Sequence, residues 1–359
     1  MAKCIHTEAS DASDVSRLHL LELGPDVLGV LIDGIADPLH PELPVALSRT
    51  CKPLSKLLRA TLARLEKENK QAAQQWCARF GEPMRIFNVD CLRSTTKLDF
   101  PDRRRTHPGR VRLMERVFLA SHDLAVLGML LRTRRIPKLL KLDLQDHIAK
   151  DTNADVAVQS LFDNLGAEGT PCLQILSLYS NGIGPLGAMA FAASLSRGAA
   201  QKLTTLDLGN NALRNRGISA LAAPLRKLPA LRKLGLAKCA IGDAGIGQLM
   251  ADLCPEEFPV LLELMLDFNL LTCAGFANVS AALNRREDLG AVAGVPRVVK
   301  PALPRLEHLY VRCNHAFPAA VDDVQDALSR RGLESFRDFA TDKCPPNSYS
   351  YSYRGALVL

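Results

Sequence analysis

The apolar positions in the second half of the chain follow a repeated pattern. Leucine or another apolar residue stands at the first, fourth, sixth and eleventh positions of successive segments, and asparagine is frequent at the ninth. The clearest segments are residues 173–183, 203–213, 231–241 and 261–271, with weaker relatives at 114–124, 139–149 and 306–316. The four clear segments start at 173, 203, 231 and 261, so they recur in steps of 30, 28 and 30 residues. A period of this length indicates a repeat architecture.

A second signature follows each clear segment, in which apolar residues recur every four positions. It reads Gly187-x3-Phe191-x3-Leu195, Gly217-x3-Leu221-x3-Leu225, Gly245-x3-Leu249-x3-Leu253, Gly275-x3-Val279-x3-Leu283 and, more weakly, Ala320-x3-Val324-x3-Leu328. This spacing marks one face of a helix, so each unit is predicted to be a short strand, a turn and a helix that stacks on its neighbours. We expect the asparagines to hydrogen-bond the turn backbones, with His122, His147 and Cys239 as weaker substitutes at that position.

These units resemble the ribonuclease-inhibitor class of leucine-rich repeats. The resemblance covers residues 110–332 and implies an α/β solenoid, a horseshoe with a parallel sheet inside and helices outside, preceded by a small all-α cap. Two features depart from the repeat. Pro224 is predicted to kink or shorten its helix, and the insertion at residues 285–304 is predicted to be a surface loop.

The amino-terminal part has a different texture, with leucine and proline leading into short apolar runs. Residues 18–65 include Leu23-Gly24-Pro25, an Asp37-Pro38 turn and Ala46-Leu47-Ser48. This segment resembles the F-box, and the resemblance implies that it binds the adaptor subunit of a cullin-RING ubiquitin ligase. The adaptor-binding residues would be Leu23, Pro25, Leu28, Leu31, Ile35 and Leu47. The alternative is a helical cap that covers the first apolar edge of the solenoid.

These patterns predict the organisation of the whole chain. Residues 1–17 form a flexible amino terminus, 18–80 a helical F-box-like cap, 81–109 a basic linker or loop, 110–332 the repeat domain and 333–359 a carboxy-terminal cap and tail. Within the cap, residues 57–80 are predicted to be a charged helix with Trp76 on its buried side.

Composition and charge narrow the class of protein. The 359 residues are 47% hydrophobic, enough for a sizeable core, but no apolar stretch has the length of a signal peptide or a membrane span. The ten cysteines contain no Cys-x-x-Cys pair, so we expect free thiols and a cytoplasmic or nuclear location. Arginines and lysines crowd residues 93–138 within a net charge of +7. Because no aromatic residues interleave them as stacking platforms, the pattern disfavours nucleic acid.

One motif points to a cofactor, but the repeat explains it better. Gly182-x-Gly184-x-x-Gly187, with Asp207 twenty residues after Gly187, is what a dinucleotide-binding fingerprint requires. Gly242 and Gly245 occupy the same phase two units later, which indicates turn and helix-start residues of a solenoid. The sequence contains no phosphate loop and no zinc-type Cys/His spacing. We therefore expect no cofactor, no metal and no catalytic residues, and a protein that is not an enzyme.

The third, fifth, seventh and eighth positions of each unit are predicted to face the concave side, where a partner protein would bind. The candidate residues are Tyr179, Asp207, Lys233, Met265, Asp267, Phe268, Tyr310 and Arg312. Large aromatic side chains and arginine are typical of binding hot spots. The predicted function is protein binding, with a ubiquitin-ligase substrate receptor as its specific form. The alternatives are a direct inhibitor or activator of an enzyme such as a small GTPase or a nuclease, and a non-catalytic scaffold.

Overall fold

The computed structural model describes residues 36–37, 42–49, 52–84, 88–99, 118–148, 153–163, 165–251, 253–254, 256–288, 299–316 and 318–331. The predicted flexible terminus, the carboxy-terminal cap and tail, and five of the F-box-like residues (Leu23, Pro25, Leu28, Leu31 and Ile35) lie outside these ranges. The chain divides into two compact units, Met1–Ala72 and Ala73–Leu359.

In the first unit the described residues are mainly helical. Helix α1 spans Glu42–Ser48 and carries the half-buried Leu47, and helix α2 spans Lys52–Met84 and continues into the second unit. Leu58 and Leu65 on α2 are almost completely buried, at 0% and 1% exposure. The prediction of a charged helix over 57–80 is confirmed, with longer bounds.

In the second unit the end of α2 packs through aromatic and charged side chains. Trp76 is buried as predicted, and its ring centroid lies 5.3 Å from that of Phe80. Arg79 donates to Asp123 at 2.8 Å, and the same carboxylate accepts from the backbone N–H of Ala120. These contacts tie the end of α2 to the start of the first helix of the repeats.

A seven-stranded parallel sheet runs through the second unit in the order β1-β2-β3-β4-β5-β6-β9. Its strands are β1 (Lys97–Asp99), β2 (Lys141–Asp143), β3 (Ile175–Ser177), β4 (Thr205–Asp207), β5 (Lys233–Gly235), β6 (Glu263–Met265) and β9 (His308–Tyr310). The middle residue of every strand is a leucine exposed by 6% or less. Because side chains alternate along a strand, the residues on either side of these leucines point to the opposite, open face of the sheet.

Helices alternate with these strands and pack against one another in chain order. They are α3 (Ser121–Arg132), α4 (Ala154–Phe162), α5 (Pro185–Ser196), α6 (Arg214–Arg226), α7 (Asp243–Met250), α8 (Cys273–Asn284) and α9 (Pro318–Ser329). Glycine permits the close approach of neighbouring helices, since a Cβ on Gly187 would lie 2.8 Å from Asp155 Oδ1 and one on Gly245 2.5 Å from Ile218 Cγ2. The predicted α/β arrangement is confirmed. In the dinucleotide-like motif, packing against Asp155 accounts for Gly184 and Gly187, and a left-handed backbone with φ of 70° accounts for Gly182.

The repeats begin earlier than residue 110, which was predicted as their start. Residues 97–99, predicted as part of a linker, form β1 and pair in parallel with β2. Of the segment 114–124, the structure describes only residues 118–124, and α3 begins there at Ser121, which places His122 in a helix. Leu119 pairs with Ile148, so it marks the end of the turn region of the first unit. The predicted start at residue 110 was wrong because residues 100–118 lie in the sequence between β1 and α3, the strand and the helix of the first unit.

Two smaller predictions also differ from the structure. The insertion at 285–304 is not entirely a loop, because β7 (Arg286–Asp288) and β8 (Val299–Pro301) form an antiparallel pair within it. Pro224 does not end its helix, since α6 continues to Arg226 over 13 residues. Pro224 has no N–H to donate to the Ala220 carbonyl, and the helix nevertheless continues for two residues beyond it.

A ladder of buried asparagines holds the turns together, as the sequence predicted. Asn211 donates to the carbonyls of Leu178 and Leu208 at 2.9 and 2.8 Å, and its Oδ1 accepts from the N–H groups of Asn181 and Ile183, both at 3.0 Å. Asn181, Asn269 and Asn314 make equivalent bonds in their own units. Each amide therefore links two consecutive turns whose polar groups are otherwise buried.

Cys239 interrupts this ladder and is expected to weaken it. Burial raises the pKa of its thiol to about 12, so the thiol stays protonated and has one proton for the carbonyls of Leu208 and Ala237. An asparagine would supply two donors and a better acceptor. We expect Cys239→Asn to increase the free energy of unfolding by about 1 kcal/mol in urea titrations. An asparagine variant no more stable than Cys239→Ala would contradict this account.

The prediction of free thiols is wrong at one position. Cys77, Cys91, Cys172, Cys239, Cys254 and Cys273 are free, whereas Cys313, in the turn after β9, is disulfide-bonded.

Candidate protein-binding surface

The candidate residues lie on five neighbouring strands or in the turns that follow them. The parallel register pairs Ser177 with Asp207, Asp207 with Gly235, and Met265 with Tyr310. Strands in a sheet are about 4.8 Å apart, so the row from β3 to β9 extends over roughly 19 Å. The structure thus brings Tyr179, Asp207, Lys233, Met265, Asp267, Phe268, Tyr310 and Arg312 onto one surface, which we call the open face.

The β2 end of the open face is occupied by internal ion pairs. Lys141 is only 7% exposed, and its Nζ lies 2.8 Å from Asp99 Oδ1 and 3.3 Å from Asp143 Oδ2. Asp143 is also buried, at 5% exposure. Lys141 is therefore held between two carboxylates and does not offer its positive charge to a partner.

Small residues lie in the middle of the open face. Ser177, Gly209, Gly235 and Ala237 occupy positions where the outer units carry larger side chains. A Cβ on Gly209 would lie 3.0 Å from the Tyr179 ring and 3.1 Å from Asp207 Oδ1, and one on Gly235 would lie 2.6 Å from the same Oδ1. Tyr179 and Asp207 therefore lean over glycine backbone, and both are partly exposed.

Burial makes the charged form of the Asp207 carboxyl unfavourable at this position. Burial raises its pKa to about 6, the N–H of Gly209, which donates to Oδ1 at 2.9 Å, lowers it, and the charge of Asp143 raises it. Among the described residues, no lysine or arginine forms an ion pair with Asp207. Lys233, on the next strand, is instead paired with Glu263 at 2.7 Å.

A pH-dependent stability follows from the raised pKa of Asp207. The folded protein binds the proton of the Asp207 carboxyl more tightly than the unfolded chain does. The free energy of unfolding therefore decreases as pH rises from about 4 through 6. We expect Asp207→Asn to be more stable than the wild type by about 1 to 2 kcal/mol at pH 7.5, with no advantage below pH 4. Thermal unfolding at several pH values measures this, with Asp322→Asn on the exposed side of α9 as the control. An equal effect of Asp207→Asn at both pH extremes would argue against it.

The β6–β9 end of the open face carries charged and aromatic groups, with one correction to the prediction. Met265 is only 9% exposed, so it belongs to the floor of the face and offers little area to a partner. Asp267 accepts from the N–H of Arg312 at 2.8 Å, and burial raises the pKa of its carboxyl. Burial also raises the pKa of Tyr310, with Glu263 and Asp267 adding to the rise.

Phe268 projects from a turn whose backbone is left-handed, with φ of 56°. The same turn position is left-handed in the neighbouring units, where it carries Asp146, Ser180, Asn210, Lys238 and Cys313. The ammonium of Lys238 lies 4.8 Å from the centre of the Phe268 ring. Lys238 and Glu263 were not among the predicted site residues, although the eighth and third positions of the unit, which they occupy, were predicted to face the partner.

Within the described ranges, no group of three or more His, Cys, Asp or Glu side chains could hold a metal ion. None of the helices in the described part of the chain is long and apolar enough to cross a bilayer.

Comparison with known families identifies the repeat. A family model described as Leucine Rich repeat matches residues 170–192 and 199–222. The matched residues contain β3, β4 and most of α5 and α6. Together with the parallel sheet and alternating helices, the match establishes an α/β leucine-rich-repeat solenoid.

Proposed function

We propose that this leucine-rich-repeat solenoid is a non-catalytic protein-binding module, located in the cytoplasm or nucleus, whose partner docks on the open face of the sheet. The resemblance to ribonuclease-inhibitor-type repeats makes this the concave side of a horseshoe. The leucine-rich repeats support protein partners in general. The choice of face rests on the side chains that line it.

The observation that carries the proposal is Phe268. A bulky residue in the left-handed region costs about 1 to 2 kcal/mol. Of the equivalent turn positions, Asp146, Ser180 and Asn210 carry small polar residues, while Lys238 and Cys313 share the left-handed backbone of Phe268. Phe268 nevertheless stands there, partly exposed, with Lys238 over its ring and Tyr310 on the adjoining strand of the face. Strain retained at an exposed aromatic residue is typical of a binding site.

The test compares partners recovered on full-length protein. Proteins bound to the immobilised wild type are quantified by mass spectrometry beside those bound to the double variant Phe268→Ala/Tyr310→Ala. The matched control is Leu186→Ala/Met189→Ala, which removes two exposed apolar side chains, 58% and 37% exposed, from α5. We expect the face variant to lose its main partners by about tenfold or more and the control to retain them. Loss in the control with retention in the face variant would contradict the proposal.

We also propose that the F-box-like segment recruits a ubiquitin-ligase adaptor, which would make the open face a substrate receptor. The sequence pattern supports this. The full-length variant Leu28→Asp/Leu31→Asp should lose adaptor and cullin subunits while keeping the partners that depend on Phe268. If no adaptor is recovered with either protein, the ligase proposal is wrong. A recovered enzyme whose activity changes on addition of the protein would then favour a direct regulator, and partners without such an effect a scaffold.

A further inference from the structure

We propose that five cations along the amino-terminal edge of the sheet bind an acidic peptide segment of a protein partner. The cations lie in the loops that precede β2, β4 and β5, and we call this surface the basic edge. Its members are Arg135, Lys138, Lys202, Lys227 and Arg232. The basic edge is a different surface from the open face, so this inference does not depend on the function proposed there.

The parallel strands bring the loops of the basic edge side by side. Backbone hydrogen bonds join equivalent positions of consecutive units, in the order Leu140, Gln174, Thr204 and Arg232. Lys138 and Lys202 each stand two residues before their position in this row. Because neighbouring strands are about 4.8 Å apart, the row from β2 to β5 covers roughly 14 Å. An extended peptide rises about 3.3 Å per residue, so roughly four of its residues would span the row.

The fold does not use the charges of the basic edge for ion pairs. Other cations near these loops are paired, Arg134 with Glu168 and Arg226 with Glu257 at 3.5 Å. Among the described residues, no carboxylate forms an ion pair with any of the five cations, and all of them except the half-buried Arg135 are exposed. Their charges are therefore accessible to a partner.

The helix dipole accounts for only two of the five cations. Arg135 and Lys227 lie within three residues of the ends of α3 and α6, where the dipole favours positive charge. Lys138, Lys202 and Arg232 lie six residues beyond the ends of α3, α5 and α6. Since the dipole acts only within about the last turn, it gives no reason for charge at these three positions.

The composition of the loops identifies the occupant. Residues 133–140, 197–204 and 227–232 contain no aspartate or glutamate, and Glu168 in the loop before β3 is held by Arg134. An acidic segment would thus meet one sign of charge along the whole row, whereas a basic segment would be repelled. The same three ranges contain no aromatic residue on which nucleic-acid bases could stack, which favours a peptide over nucleic acid.

The experiment titrates a fluorescein-labelled hexaglutamate peptide with the full-length protein and measures fluorescence anisotropy. The variant Lys138→Gln/Lys202→Gln/Arg232→Gln should bind the peptide about tenfold more weakly than the wild type, since three exposed ion pairs are lost. Raising NaCl from about 50 to about 300 mM should weaken binding to the wild type more than binding to this variant, because salt screens the pairs that the variant lacks.

The matched control is Lys70→Gln/Arg216→Gln/Arg330→Gln, which removes three exposed cations elsewhere and changes the net charge equally. It should bind hexaglutamate like the wild type, as should Phe268→Ala/Tyr310→Ala, whose open face is altered. Equal losses in the two triple variants would show that only net charge attracts the peptide. That result, wild-type affinity in the basic-edge variant, or no binding to the wild type would overturn the proposal. It would also be overturned by a labelled DNA duplex that binds more tightly than the peptide and depends on the same three cations.

Discussion

Asn211→Ala is expected to lower the free energy of unfolding by about 4 kcal/mol. The asparagine donates to the carbonyls of Leu178 and Leu208 and accepts from the N–H groups of Asn181 and Ile183, and it is 5% exposed. Alanine leaves these four backbone groups without a partner in a region that water does not reach. Each unsatisfied buried group costs about 1 to 3 kcal/mol, partly recovered by local rearrangement.

Urea unfolding followed by circular dichroism measures this loss, and Asn278→Ala is the matched control. Asn278 lies on the exposed side of α8, so the same substitution there should change the free energy of unfolding by less than about 0.5 kcal/mol. Similar losses in both variants would show that the ladder bonds contribute no more than ordinary surface asparagines.

The asparagine ladder could be predicted from the sequence because one position repeats with one chemistry. Only an amide carries both donors and an acceptor of the length needed to join two turns, and the observed bonds of Asn181, Asn211, Asn269 and Asn314 agree with that prediction. The order of strands and helices followed equally directly, since the apolar spacing changes from two to four within each unit.

The first unit and the details of the open face could not be read in the same way. Around β1 the sequence has Thr95 and Phe100 at two of the leucine positions, and an intervening segment separates it from α3. The burial of Met265 depends on how strands lie side by side, and the close packing of Asp207 on backbone depends on a glycine in the next unit. Such contacts join residues about one repeat apart, so a consensus read along the chain does not reveal them.

Stability and binding make opposite demands on the open face. Asp207 carries a carboxylate whose raised pKa costs stability at neutral pH, and Phe268 occupies a backbone region that favours smaller polar residues. Both lie on the surface where the partner is proposed to dock. A residue that lowers stability there can be retained where selection favours binding over stability.

Leu98→Asp is expected to have the second large effect, because it tests whether residues 97–99 belong to the sheet. Leu98 is 0% exposed and pairs in register with Leu142 on β2. A buried aspartate loses the apolar contacts of leucine and adds an uncompensated charge, so the free energy of unfolding should fall by more than about 4 kcal/mol. The N–H groups of Leu140 and Lys141 donate to the Thr96 carbonyl, and their hydrogen exchange should become faster.

Lys97→Ala is the control, since Lys97 is exposed on the other face of the same strand. If both variants kept wild-type stability and exchange, β1 would contribute nothing to the solenoid. A loss confined to Leu98→Asp would instead show that the first repeat begins well before its consensus becomes recognisable.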